Sequence, residues 1–425
     1  MPRKMVDLLI ENATELITLR GGSLGPFLGR RMGELGIIRK GSLAIHKGRI
    51  VAIGTGRRLR RKFESERAID ATGKVVMPSF IDPHTHIVFA GYREDEFEMR
   101  IRGVPYMKLL RKGGGILKTV KETRRATESK LLENTMKTLD IMLRHGTTTV
   151  EAKSGYGLNI KDEIKCLRVL RQADQKHKVD VTPTFLGAHA IPPEFKGRVS
   201  EYVDTVVEEM LPKVEESSLA KFCDVFCEKG VFNIDQSRRI LLAGSEHGLT
   251  PKIHADEMTP LGGAELAAEV RAISADHLVF ASEKGVKELA MAGVCAVLLP
   301  CTSFAQMLGK YADARGVIKA NVPVALGTDY NPSCQAVTQQ LSIGLACHQM
   351  RMTPSECVAA STINAAHAIG LGQEIGSLEL GKKADIAILE VPSHMFLGYR
   401  FGVNLVDKVV KNGKIVVDNA ADRQR

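Results

Sequence analysis

The chain has 425 residues, 44% of them hydrophobic and 25% charged, so it can bury a sizeable core and is not a disordered tether. Its length exceeds the roughly 250 to 300 residues that one core usually organises, which predicts one large unit and a smaller one. The net charge of +10 raises polyanion binding, but the densest basic run, Arg57-Arg58-Leu59-Arg60-Arg61-Lys62, has no nucleic-acid module or aromatic platform beside it and reads as a solvated face.

From the amino end, Arg3 and Lys4 are followed by no long apolar run, so this terminus does not read as a secretory signal, and no later apolar stretch is long enough to span a membrane. Residues 42–53 alternate around Lys47-Gly48, the chemistry of a hairpin turn. An apolar run then ends in Asp82-Pro83-His84-Thr85-His86. Residues two apart on a strand face the same side, so both imidazoles can converge on one ion. Gly113-Gly114-Gly115 lacks the spacing of a phosphate-binding loop and reads as a flexible loop near a site.

From here short apolar strands alternate with amphipathic helices. Residues 179–188 precede a helical stretch at 199–214, and 296–299 follow a helix at 283–292. Over roughly 290 residues this alternation fits a (β/α)8 barrel with insertions, with a doubly wound open sheet as the alternative. Residues 385–391 and 406–417 return to strands, the second with an Asn412-Gly413 turn. Neither end has enough strands for a stable module, so residues 1–78 and 372–425 are expected to share one small β sheet beside a barrel at 79–371. Eight cysteines are scattered along the chain. The closest pair, Cys223 and Cys227, has no second pair at zinc-finger spacing, so reduced thiols in a cytoplasmic protein are the simplest account.

A barrel gathers its chemistry at the carboxyl ends of its strands. The polar residues at such points are His84 and His86, His189, His254, His277 and Asp329. A lone histidine reads as a satisfied core or surface residue, but this series does not. His84, His86, His254 and Asp329 offer three imidazoles and a carboxylate, a set suited to zinc or ferrous iron with a position left for water.

The runs DPHTHIVFAGYREDEF at 82–97, GGGILKTVKETR at 113–124, EAKSGYGL at 151–158, TFLGAHA at 184–190, HADEMTPLGGAELAAE at 254–269, SADHL at 274–278 and GTDYNP at 327–332 resemble the amidohydrolase superfamily over nearly the whole chain. The resemblance implies a distorted TIM-like barrel with a small β domain formed from both termini, and one divalent ion, Zn or Fe, on His84, His86, His254 and Asp329. It implies hydrolysis of a cyclic amide, 4-imidazolone-5-propanoate, to N-formimidoyl-L-glutamate in histidine degradation, by a cytoplasmic homodimer with no nucleic-acid or membrane partner. By correspondence Arg93, Tyr156, His189, Glu257 and Asn331 match substrate contacts, Arg93 as the bidentate partner of the propionate. Asp329 is a candidate base, with Glu257 and His277 as alternative proton donors or oxyanion stabilisers. Lys153 is expected to form an ion pair and not a bridge between two metals. Two departures put loop contacts and substrate preference in question: Ser333-Cys334, also counted among the substrate contacts, replaces Gly followed by Ser or Thr, and Cys301 stands where many relatives have Gly. The rival readings are another cyclic amidohydrolase or aminohydrolase, and an inactive basic barrel that binds nucleic acid.

Overall fold

The computed structural model describes residues 3–104 and 114–422. Eight strands run in chain order through one sheet: β1 (Phe80–Thr85), β2 (Thr147–Lys153), β3 (Asp180–Ala188), β4 (Phe222–Cys227), β5 (Thr250–Ala255), β6 (Ser274–His277), β7 (Cys295–Leu298) and β8 (Val324–Leu326). Each pairs in parallel with the next. A doubly wound sheet would reverse its strand order at a switch point, and none occurs here.

The ring is sealed just past β8. Thr85 bridges Tyr330, the Asp329 N–H donates to the His84 carbonyl at 3.1 Å, and the His86 N–H donates to the Tyr330 carbonyl at 2.9 Å. The backbone bonds that close the barrel therefore also fix residues 84, 86 and 329.

The helices cover the barrel with apolar faces. Glu128–Arg144 buries Leu131, Leu139 and Met142 and starts at Thr127, whose hydroxyl accepts the Lys130 N–H. Ile160–Lys176 buries Leu167 and Leu170 behind an Asn159 cap. The helical stretch expected at 199–214 runs through Val199–Asp204, a π turn at Thr205–Met210 and Leu211–Ser217. Gly113 of the glycine run lies outside the described residues; Gly115 leads into the helix Ile116–Arg125.

The two ends build two small sheets, where the sequence suggested one. Lys4–Ala13, Gly41–His46, Arg49–Thr55 and Phe63–Asp70 form a sheet from the amino end alone. Ile386–Leu389, Val406–Lys411 and Lys414–Asp418 extend a second sheet through Val75–Pro78 to Glu15–Ile17 and Ile37–Ile38. The sheet expected to be shared by both ends is this second one; the amino end has strands to spare and builds the first by itself. Leu8, Ile10, Leu43, Ile45, Val76, Ile386 and Ile388 share one buried cluster between them.

The basic run forms the helix Gly56–Lys62, which buries Leu59 and leaves its five cations exposed. Among the described residues no helix is long and apolar enough to cross a membrane.

Candidate metal centre

His84 near the end of β1, His86 just after it, His254 on β5, His277 ending β6, and Asp329 past β8 are all buried at one end of the barrel. Their nitrogen and oxygen atoms converge. His86 Nε2 lies 3.2 Å from His254 Nε2, and Asp329 Oδ1 lies 3.6 Å from His84 Nε2 and 3.5 Å from His86 Nε2. Ligands about 2.1 Å from a tetrahedral ion stand about 3.4 Å apart, so these separations are the edges of a coordination shell. Burial holds the His84 and His86 imidazoles well below their ordinary pKa, which keeps lone pairs available. His84 Nε2 is buried without a hydrogen-bond partner, a costly arrangement that an ion would relieve. The donor set therefore fits a divalent cation. His189 and His277 also lie close enough to join alternative triads with His254.

Carboxylates behind the imidazoles orient them. Asp276 Oδ2 lies 2.6 Å from His84 Nδ1, and Asp224 Oδ1 lies 3.1 Å from His254 Nδ1, leaving each Nε2 to face the centre. Burial pushes the His254 imidazole down, but Asp224 more than offsets this and holds its pKa above the ordinary value. Lys153 joins the network at 2.8 Å from Glu151 and 2.9 Å from Asp224. Burial disfavours its ammonium, yet Asp224, Glu151 and Asp276 outweigh that and raise its pKa. Its ammonium is thus engaged in ion pairs with Glu151 and Asp224. Lys252 reaches Asp276 through Ser274, with 2.6 Å hydrogen bonds at each step.

Asp276→Asn is expected to weaken metal binding about 10- to 100-fold by loosening His84, read by competition with a chromogenic chelator. Unchanged affinity in the folded variant would remove Asp276 from this role.

Arg93 opens the helix α1 (Glu94–Ile101) and is buried beside the centre; its Nε and Nη1 have no hydrogen-bond partner, and Glu96 Oε2 is 3.9 Å away. A buried guanidinium with unused N–H groups is a receptor for an anion. Tyr156, His189, Glu257, His277, Asn331 and Ser333 line the same cavity as Arg93, His86, His254 and Asp329. His189 Nδ1 donates to the Gly155 carbonyl at 2.9 Å, which leaves Nε2 as an acceptor, and its ring stacks on His86. Tyr156 packs its ring 5.2 Å from that of His189.

Of the sequence-derived substrate contacts, Asn331 lines the cavity but also braces its neighbours, and Cys334 lies outside it. Asn331 donates from Nδ2 to the Asp329 carbonyl and to Asp329 Oδ1, while its Oδ1 accepts from Ser333 N, Ser333 Oγ and Cys334 N. Its amide is thus committed to holding Asp329 and the loop. Cys334 does not line the cavity; its buried thiol points to the Thr328 carbonyl at 3.7 Å.

Sequence reasoning missed the helix α2 (Pro300–Ala305), which begins just past β7. Thr302 donates to Asp329 Oδ2 at 2.5 Å, and Gln306, one turn later, donates to Glu257 Oε1 at 3.2 Å. Their i, i+4 spacing was the only signal. Burial pushes the Glu257 carboxyl up to about 8, with Asp329 adding to the shift, and His277 Nε2 lies 3.7 Å from Glu257 and 3.9 Å from Asp329. His277 and Asp329 both adopt left-handed backbone, with φ of 77° and 50°, a strain characteristic of functional positions.

The amidohydrolase family pattern matches residues 246–416. The chain is 53% identical over 418 residues to imidazolonepropionase of Geobacillus sp. strain WCH70, covering 97% of this chain and 98% of that protein. It is 51% identical to imidazolonepropionase of Alkaliphilus metalliredigens, covering 97% and 99%. Among solved structures, it superposes on zinc-bound adenosine deaminase from Xanthomonas campestris with a TM-score of 0.70 at 18% identity, covering 99% of this chain and 97% of that one. It superposes on zinc-complexed atrazine chlorohydrolase TrzN from Arthrobacter aurescens with a TM-score of 0.73 at 17% identity, covering 97% and 95%. At these identities the two structures speak to the fold alone.

Proposed function

The chain belongs to the imidazolonepropionase family of amidohydrolases, and on that premise we propose how its own side chains carry the reaction. The activity is hydrolysis of the cyclic amide of 4-imidazolone-5-propanoate to N-formimidoyl-L-glutamate, a step of histidine degradation. The observation that carries the proposal is the convergence of buried, oriented imidazoles and Asp329 beside a buried arginine with unused donors.

His84, His86, His254 and Asp329 would hold one divalent ion, zinc or iron, since imidazole and carboxylate suit both. When bound, such an ion would supply Lewis acidity toward the ring carbonyl and the attacking water. Arg93 binds the propionate through paired hydrogen bonds and so sets the ring over the centre. Asp329, tethered by Thr302 and Asn331, takes the proton of the attacking water. His277, which burial keeps neutral at well below its ordinary pKa, donates from Nε2 to the oxygen that gains negative charge. Glu257 is protonated near neutrality and gives its proton to the departing ring nitrogen, the bond to the ring carbonyl breaking as it does. Tyr156, His189 and Ser333 line the same cavity and would contact the bound substrate. Eight unpaired thiols support a cytoplasmic setting.

Dialysis against a chelator is expected to abolish ring opening without unfolding the chain, and stoichiometric Zn2+ or Fe2+ to restore it. Full turnover by protein shown to be metal-free would sink the proposal.

A further inference from the structure

The helix α3 (Gln339–Met350) and the helix α4 (Pro354–Ala360) meet at a tight turn, and each offers a cysteine to the other. Cys347 Sγ and Cys357 Sγ stand 3.7 Å apart in van der Waals contact. A disulfide needs about 2.05 Å, so the two sulfurs must approach by less than about 2 Å, within reach of side-chain rotation and a small helix shift. Cys347 is partly exposed, whereas the chain's other seven cysteines are buried. We propose that Cys347 and Cys357 form a reversible dithiol–disulfide site that reacts with low-molecular-weight disulfides.

The two thiols have different roles. A hydrogen bond from Cys357 holds the Cys347 thiol below its ordinary pKa, while burial raises that of Cys357. Cys347 is both the more exposed residue of the pair and the better source of thiolate, which makes it the attacking group. Its thiolate attacks one sulfur of the small disulfide, forming a mixed disulfide and expelling one thiolate. Cys357 then gives up its proton to that thiolate and attacks Cys347 Sγ, expelling the second small thiol. Two protein thiols are oxidised and one small disulfide is reduced to two thiols, so atoms and electrons balance. The bridge pins α3 to α4 across the turn at Arg351. The other end of α3 is already fixed to the barrel, because Gln339 Nε2 donates to the Ile81 and Leu326 carbonyls at 3.1 and 3.0 Å. The bond thus ties an element that braces β1 and β8 at both ends, and it shortens the loops open to the unfolded chain.

The test treats the folded, metal-loaded protein with oxidised glutathione. The expected product is lighter by about 2 Da, the mass of the two hydrogens lost under this scheme. Trypsin cleaves after Arg351, between the two cysteines, so the expected linkage joins peptides 320–351 and 352–382. Dithiothreitol reverses both changes, and the oxidised form shows a higher thermal midpoint. Cys357→Ser is expected to stop at the mixed disulfide on Cys347, and Cys347→Ser to remain unmodified. A folded wild-type protein that keeps its full mass, or that carries stable glutathione on Cys347 with Cys357 present, overturns the proposal. Neither readout depends on turnover or on the assignment of the metal centre.

Discussion

His254→Ala is expected to abolish both tight metal binding and ring opening, with turnover falling about 10^4-fold or more as the Lewis-acid centre is lost. His254 Nε2 faces His86 Nε2 at 3.2 Å, so its removal takes one corner from the coordination shell. The fold is expected to survive. Asp224, which the imidazole leaves behind, keeps its 2.9 Å ion pair with Lys153, so no buried charge is stranded. Elemental analysis of the purified variant, with circular dichroism and a turnover assay, checks this. A folded variant with a full equivalent of metal and wild-type rate would remove His254 from the site.

The second large effect belongs to Arg93. Arg93→Ala is expected to lower kcat/KM about 10^2- to 10^3-fold, or about 3 to 4 kcal/mol, while leaving metal content unchanged. Arg93 is 4% exposed and two of its guanidinium nitrogens have no hydrogen-bond partner, so a substrate carboxylate there gains charge-assisted hydrogen bonds in a dry setting. Glu96 is too distant at 3.9 Å to occupy the fork. Arg93→Lys restores charge without the planar pair and should recover only part of the loss. An uncharged amide analogue of the propionate separates recognition from general damage: wild type should discriminate strongly against it, and Arg93→Ala hardly at all. Equal discrimination by both proteins would place the carboxylate elsewhere.

His254 and Arg93 can both be singled out in the sequence, and for the barrel residues the reason is geometric. Barrel strands deliver their last side chains to one end, so His84, His86, His254, His277 and Asp329 can be picked out by their place after short apolar runs. The supporting charges cannot. Asp224 and Asp276 sit inside buried strands, where a carboxylate looks like an interruption until its imidazole is seen across the barrel. Lys153 and Lys252 depend on the same tertiary pairing. Thr302 and Gln306 act through the direction of one short helix, which spacing suggests only once Asp329 and Glu257 are located. Neighbours in sequence also diverge: Ser333 lines the cavity, while Cys334 turns toward Thr328. The small sheets were hard to read for a related reason. Strand existence is local, but which strand lies beside which is decided by the whole chain, as the pairing of Val75–Pro78 with both Glu15–Ile17 and Ile386–Leu389 illustrates.

Ring opening of 4-imidazolone-5-propanoate is directly measurable. Its most direct test adds metal-loaded protein to the freshly generated compound and follows products by NMR together with an ammonia assay. The expected product is N-formimidoyl-L-glutamate, formed in step with substrate loss and without ammonia. A folded, metal-loaded protein that leaves the compound untouched, or that releases ammonia from it, would rule out this activity.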